Sequence, residues 1–143
     1  MSPSKRLKPV QQVAASRERN AARTMGQARQ HLAQEEAKLA QLKKYHQEYL
    51  ERFQQVASQG MSANQLQEYR AFLTKLERAI QEQESVVAES RTQCSQHQEN
   101  WQQKHVRTQA LGKVMERYQR EERKQEDVRE QKESDERSQR RKH

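Results

Sequence analysis

The sequence predicts an all-α fold, a long two-helix antiparallel coiled-coil hairpin in which helix 2 is longer than helix 1. Three observations carry that expectation. Apolar residues recur in alternating steps of three and four, the period that lays one stripe of a helix along a partner helix. Three glycines and two prolines in 143 residues are too few for the turns of a loop-rich globular fold. One short break, Ser58-Gln59-Gly60-Met61, separates two such stripes, and a break that short sends the second helix back along the first.

Composition agrees. With 31% hydrophobic and 34% charged residues, the chain has too little apolar material for a layered core. Such a chain forms long helices or stays disordered, and the heptad order selects helices. Residues 1–143 are therefore read as a single coiled-coil domain.

The elements follow in order. Residues 1–9 form a basic lead, and Pro9 is placed to open a helix, since its missing N–H costs nothing in a first turn. Helix 1 is assigned to residues 10–57, with a seam running from Gln11, Ala14, Glu18 and Ala21 to Leu42, His46, Tyr49, Phe53 and Val56. The turn is 58–61, where Gly60 can take the left-handed conformation that ends a helix. Ser62 with Gln65 three residues on is a capping box for helix 2, assigned to 62–125. Its seam keeps phase from Leu66, Tyr69, Leu73, Leu76 and Ile80 to Leu111, Met115 and Tyr118. Residues 126–143 have no apolar stripe and are expected to be a frayed or disordered charged tail.

Folding at the break fixes a register in which the numbers of facing residues sum to about 122. Phe53 then meets Tyr69, Tyr49 meets Leu73, His46 meets Leu76, and Ala14 meets Thr108. Ala21 opposes Trp101, small against large, and Glu18 opposes Lys104, acid against base. The half near the termini, with Gln11, Ala14 and Glu18 in the seam, is expected to be weakly zipped. Helix 1 running out near Pro9 would leave helix 2 to project alone through Tyr118 and Glu122.

The net charge is +8, and residues 1–31 carry seven basic side chains against the single Glu18, a net +6. A basic arm of this kind attracts an acidic protein, nucleic acid or anionic lipid. The lone Cys94 excludes an intrachain disulfide and fits a reducing compartment. No apolar run approaches the roughly 18 residues that span a bilayer, and no signal-peptide core is present. A soluble, cytoplasmic chain is expected.

No catalytic arrangement is present: no Gly-rich phosphate loop, no paired cysteines, no Gly-x-Ser-x-Gly. The chain is read as a non-enzyme without cofactor. Cys94, His97 and His105 on one helix could suggest a metal, but Cys94 and His97 are seam positions and no fourth ligand is at hand, so packing is the favoured reading and no metal is expected. His46 is likewise read as a structural seam histidine.

The informative residues are those the seam does not need. Tyr45, Phe72 and Ala79 each precede a seam residue and so lie on one edge of the hairpin. With the edges of Leu42, Tyr49 and Leu76 they make an apolar and aromatic strip. Such residues can simply broaden a two-helix seam, or they can dock a partner; one side chain can do both.

At these residues the chain resembles the FliJ family, coiled-coil components of the flagellar type III export apparatus. The resemblance is carried by Leu42-Lys43-Lys44-Tyr45-His46-Gln47-Glu48-Tyr49 and by the run from Tyr69 to Ile80. Trp101 with Lys104 and Arg107, and the tail from Glu130 to Glu136, add to it. The resemblance implies a fold similar to the central stalk of rotary ATPases. It implies a role linking the hexameric export ATPase ring to the cytoplasmic domain of the export gate, and binding of export chaperones. It would place gate contact on Leu42, Tyr45, Tyr49, Phe72, Leu76 and Ala79, and ring contact on the basic Arg17, Arg19 and Arg23. Lys38 and Gln83 depart from the residues the family pattern has at those places. A monomer is implied, peripheral at the cytoplasmic face of the inner membrane at the flagellar base through its partners.

Two other readings remain. The chain can be the stalk or linker of a virulence type III secretion ATPase, or a basic coiled coil that binds nucleic acid. The last lacks the uninterrupted basic helix leading into a zipper, so no direct nucleic acid contact is expected.

Overall fold

The computed structural model describes residues 1–142. Two helices make up the fold, α1 (Pro3–Gln59) and α2 (Ala63–Arg141), and no strand occurs among the described residues. The helices pack antiparallel, as expected, with α2 the longer.

The bounds differ from the sequence-based ones in instructive ways. α1 begins at Pro3 and carries Pro9 inside it, rather than opening at residue 10. The reason is Ser2, whose carbonyl accepts the first helical bond from Arg6 N–H at 3.1 Å and whose hydroxyl reaches the Lys5 amide at 3.4 Å. Ser2 caps and Pro3 takes the first helical position, so Pro9 costs one interior bond in a helix already started. α2 runs through 126–141, where the missing apolar stripe predicts a frayed or disordered tail. That segment has no glycine or proline, and it carries opposite charges four apart, as in Arg129 with Glu133 and Glu133 with Arg137. Its side chains from Glu126 to Lys142 are all exposed, so helical spacing rather than packing accounts for its form. His143 lies outside the described residues.

The break is Gly60 to Ser62, starting two residues and ending one residue later than the expected turn at 58–61. Gly60 holds φ at +105°, and its amide donates to the Ala57 carbonyl at 3.3 Å. Ser62 and Gln65 form the reciprocal capping box: Ser62 N–H donates to the Gln65 side-chain oxygen, and Gln65 N–H to the Ser62 hydroxyl, each at 3.2 Å. Two of the orphan amides that open α2 are thereby satisfied.

Cα packing divides the chain into two compact units, Arg23–Glu99 around the turn, and Met1–Ala22 with the residues from Asn100 on. In the turn unit the register is the expected one, with the Phe53 and Tyr69 rings 5.4 Å apart. Its most buried apolar side chains are Leu76, Val87 and Cys94, and Glu35 and Ser90 are buried with them. Near the turn the seam rings stay half-exposed, because two helices cannot enclose a large aromatic.

In the terminal unit, Ala14, Ala21 and Met115 are buried. Thr108 donates to the Ala14 carbonyl at 3.4 Å, the facing pair that the register requires. Two expectations are corrected here. Glu18 pairs with His105, not Lys104: the imidazole Nδ1 lies 2.5 Å from Glu18 Oε1. The His105 ring is stacked on Trp101 with centroids 5.0 Å apart, so it is already oriented towards the carboxylate, whereas a lysine would have to immobilise a long flexible stem. Nor does α2 project alone at Glu122. Because α1 starts early, Ser4 donates to the Glu122 carboxylate from its amide at 3.1 Å and from its hydroxyl at 2.7 Å. A carboxylate at a helix N-terminus satisfies an orphan amide and meets the positive end of the helix dipole.

Candidate docking site

The strip on the turn unit is built from two helices. α1 brings Leu42, Tyr45 and Tyr49 at helical spacing, and α2 brings Phe72, Leu76 and Ala79. The flanking position of Tyr45 and Phe72 turns each ring to the edge of the seam. There they meet edge to face, with centroids 6.1 Å apart and planes at 83°. Tyr49 lies between the seam and that pair, 4.5 Å from Phe72 and 6.5 Å from Tyr45. The cluster continues into the seam through Tyr69, 5.2 Å from Tyr49, and from there to Phe53. Five rings are thus contiguous, and only the first three were assigned to the strip from sequence.

The members differ in what they can offer a partner. Tyr45 is 47% exposed. Leu42, Tyr49, Phe72 and Ala79 are half-buried, and Leu76 is buried between the helices. Leu76 therefore supports the strip from beneath, while Tyr45 stands at its surface. Burial raises the Tyr49 phenol above its usual range, with Tyr69 and Tyr45 adding to the shift, so this ring stays neutral under physiological conditions.

The surroundings are polar. Lys43 and Glu84 face each other at 3.7 Å, both well exposed. His46 Nε2 is buried without a hydrogen bond; a Glu77 carboxylate oxygen lies 3.6 Å away, beyond hydrogen-bonding range. Lys38 and Gln83, the departures from the family pattern, both reach Glu35. The Lys38 ammonium is 3.2 Å from one carboxylate oxygen, and the Gln83 amide donates to the other at 2.6 Å and to the Glu35 carbonyl at 3.0 Å. These bonds, Gln83 first and Lys38 second, hold the Glu35 carboxyl below its usual range.

Elsewhere, Arg17, Arg19 and Arg23 are all exposed on α1. Cys94 is buried in the turn unit, while His105 is engaged by Glu18 and Trp101 in the terminal one. Among the described residues no three His, Cys, Asp or Glu side chains gather in a way that could hold a metal ion.

A protein-family model described as "Flagellar FliJ protein" matches residues 3–143. The chain belongs to that family. Among curated proteins and among solved structures, nothing matches. Membership covers the whole hairpin, both the aromatic strip and the basic arm, and makes this FliJ-family chain a component of flagellar biogenesis and protein export. It is not a family of known enzymes. No helix of the described residues is long and apolar enough to cross a membrane.

Proposed function

We propose that this FliJ-family chain is a non-enzymatic, stalk-like coiled coil of the flagellar export apparatus that binds the export ATPase ring and links it to the export gate and to export chaperones. The observation that carries the reading is the Tyr45–Phe72 pair. Two aromatic rings that the seam does not require lie in contact at its edge, and one of them is nearly half exposed. An exposed aromatic on a preorganised neighbour is the usual anchor of a protein interface. The gate's cytoplasmic domain is the partner assigned to this strip, with Tyr45, Phe72 and Ala79 as contacts, Leu42 and Tyr49 at the margin and Leu76 as support. The exposed Arg17, Arg19 and Arg23 are assigned to the ATPase ring. The protein acts on the cytoplasmic face of the inner membrane, held there through its partners. Flagellar export is favoured over a virulence secretion system because the matching family is the flagellar one.

The test is a binding assay of the full chain against the purified ATPase and against the purified gate domain. Tyr45→Ala with Phe72→Ala should weaken gate binding about tenfold or more while ATPase binding persists. Equal loss of both, with helix content intact, would remove the dedicated strip.

A further inference from the structure

Away from the aromatic strip, the terminal unit holds a second surface, of which the family resemblance gives a role to Arg17 alone. Val10 and Val13 are large aliphatic side chains outside the seam, 44% and 51% exposed. With Pro9 and Ala14 they line an open groove of about 330 Å³, whose other walls are Arg17 from α1 and Arg107 from α2. Val10, Val13 and Arg17 are spaced three and four apart, so they form a second stripe beside the seam, apolar and then basic. Neither arginine forms a salt bridge among the described residues.

We propose that this groove docks an acidic amphipathic helix of a partner protein, whose aliphatic residues sit against Val10 and Val13 and whose carboxylates pair with Arg17 and Arg107. The complementarity is specific in kind. A stripe at helical spacing is matched by a helix carrying apolar residues at the same spacing. Guanidinium groups favour planar carboxylates, which they bind two bonds at a time. Duplex DNA would use the arginines and ignore the valines. A bilayer would need a broad apolar face rather than two valines set in a groove. The net +6 of residues 1–31 draws an acidic segment to the site before any contact forms. The inference rests on the proposed protein-binding role of the basic arm, to which it adds the partner's chemistry and the apolar half of the site.

The test uses the full chain and a synthetic helical peptide of about 18 residues, with leucines at spacings of three and four flanked by glutamates. Binding is followed by fluorescence anisotropy at near-physiological salt. Saturable binding is expected, weakened about tenfold by Val13→Ser, by Arg17→Glu, and by a peptide whose leucines are replaced with glutamine. A lysine-bearing peptide should recover affinity for Arg17→Glu. Val10→Ser supplies a second apolar variant should Val13→Ser lower helix content. Absence of saturable binding, equal affinity of the valine variants, or preference for anionic vesicles or duplex DNA would each overturn the proposal. ATPase binding by the same variants separates the two assignments: loss of peptide binding with ATPase binding retained leaves the groove standing and removes the arm from the ring.

Discussion

The Glu18 carboxylate and the His105 imidazole meet at 2.5 Å across the two helices of the terminal unit. An ionised carboxylate only accepts, so Nδ1 of His105 carries the proton and donates it. The hydrogen bond from His105 is the largest cause holding Glu18 below its ordinary value of 4.5, followed, after opposing desolvation, by Thr108, the His105 charge and Arg19.

Acid sensitivity follows from that sign. Glu18, Glu35 and Glu122 all titrate below their ordinary value in the folded chain, held down chiefly by His105, Gln83 and Ser4 respectively. The unfolded chain therefore binds more protons in that window. The stability these carboxylates contribute is complete above pH 4.5 and is lost as pH falls through the depressed folded values. Urea titrations from pH 3 to 6 should show the native chain losing stability with acid more steeply than Glu18→Gln. Parallel pH profiles would mean that the pair has no share in it.

Seam and strip should separate in a stability assay. Leu76 is only 7% exposed, and its truncation to Ala removes contacts that nothing else in the turn unit replaces. A loss of about 2 kcal/mol or more is expected, and similarly for the seam residues Leu42 and Leu73. Tyr45→Ala removes a half-exposed ring and should cost less than Leu76→Ala, in the range of about 1 kcal/mol. Chemical denaturation monitored by circular dichroism at neutral pH measures both.

The fold was legible because its cause is periodic. Every heptad position from Gln11 to Val56 and from Leu66 to Tyr118 is half-buried or buried in the structure. The turn was legible because Gly60, Ser62 and Gln65 each carry a local mechanism. Four features escaped. Residues 126–141 lack an apolar stripe, yet opposite charges four apart go with a helix there. Pro9 looked like a helix start, and the stronger signal, Ser2 before Pro3, lies seven residues earlier. Glu18 was matched to Lys104 by charge alone, while the partner was set by the Trp101–His105 stack, which two aromatic residues four apart could have signalled. Val10 and Val13 fall off the seam, so heptad order gives them no role, and the net charge of the arm points only to its arginines.

Glu35 and Gln83 supply a test of polar register control. Glu35 is buried, and Gln83 donates to both its side chain and its carbonyl. Gln83→Leu should destabilise the chain, because it leaves a buried carboxylate with Lys38 alone. Glu35→Leu combined with Gln83→Leu should recover much of that loss, since an apolar pair in a seam needs no partners. A double-mutant cycle in chemical denaturation reads the coupling, and additive effects of the two changes would show that the residues act independently.

The same substitution should have opposite signs at two glycines. At Gly60 the backbone holds φ at +105°, a conformation that side chains rarely adopt, while a new Cβ would meet nothing within 4 Å. Gly60→Ala therefore strains the backbone without a clash, and a loss of about 1 kcal/mol or more is expected. Gly112 lies within α2 with no positive φ, and a Cβ there also meets nothing within 4 Å. Gly112→Ala should raise stability by about 0.5–1 kcal/mol through helix propensity alone. Thermal melts of the two variants beside the native chain decide it. A destabilised Gly112→Ala would mean that the helix there needs the freedom glycine gives, and an unaffected Gly60→Ala would mean that the turn can form without its left-handed residue.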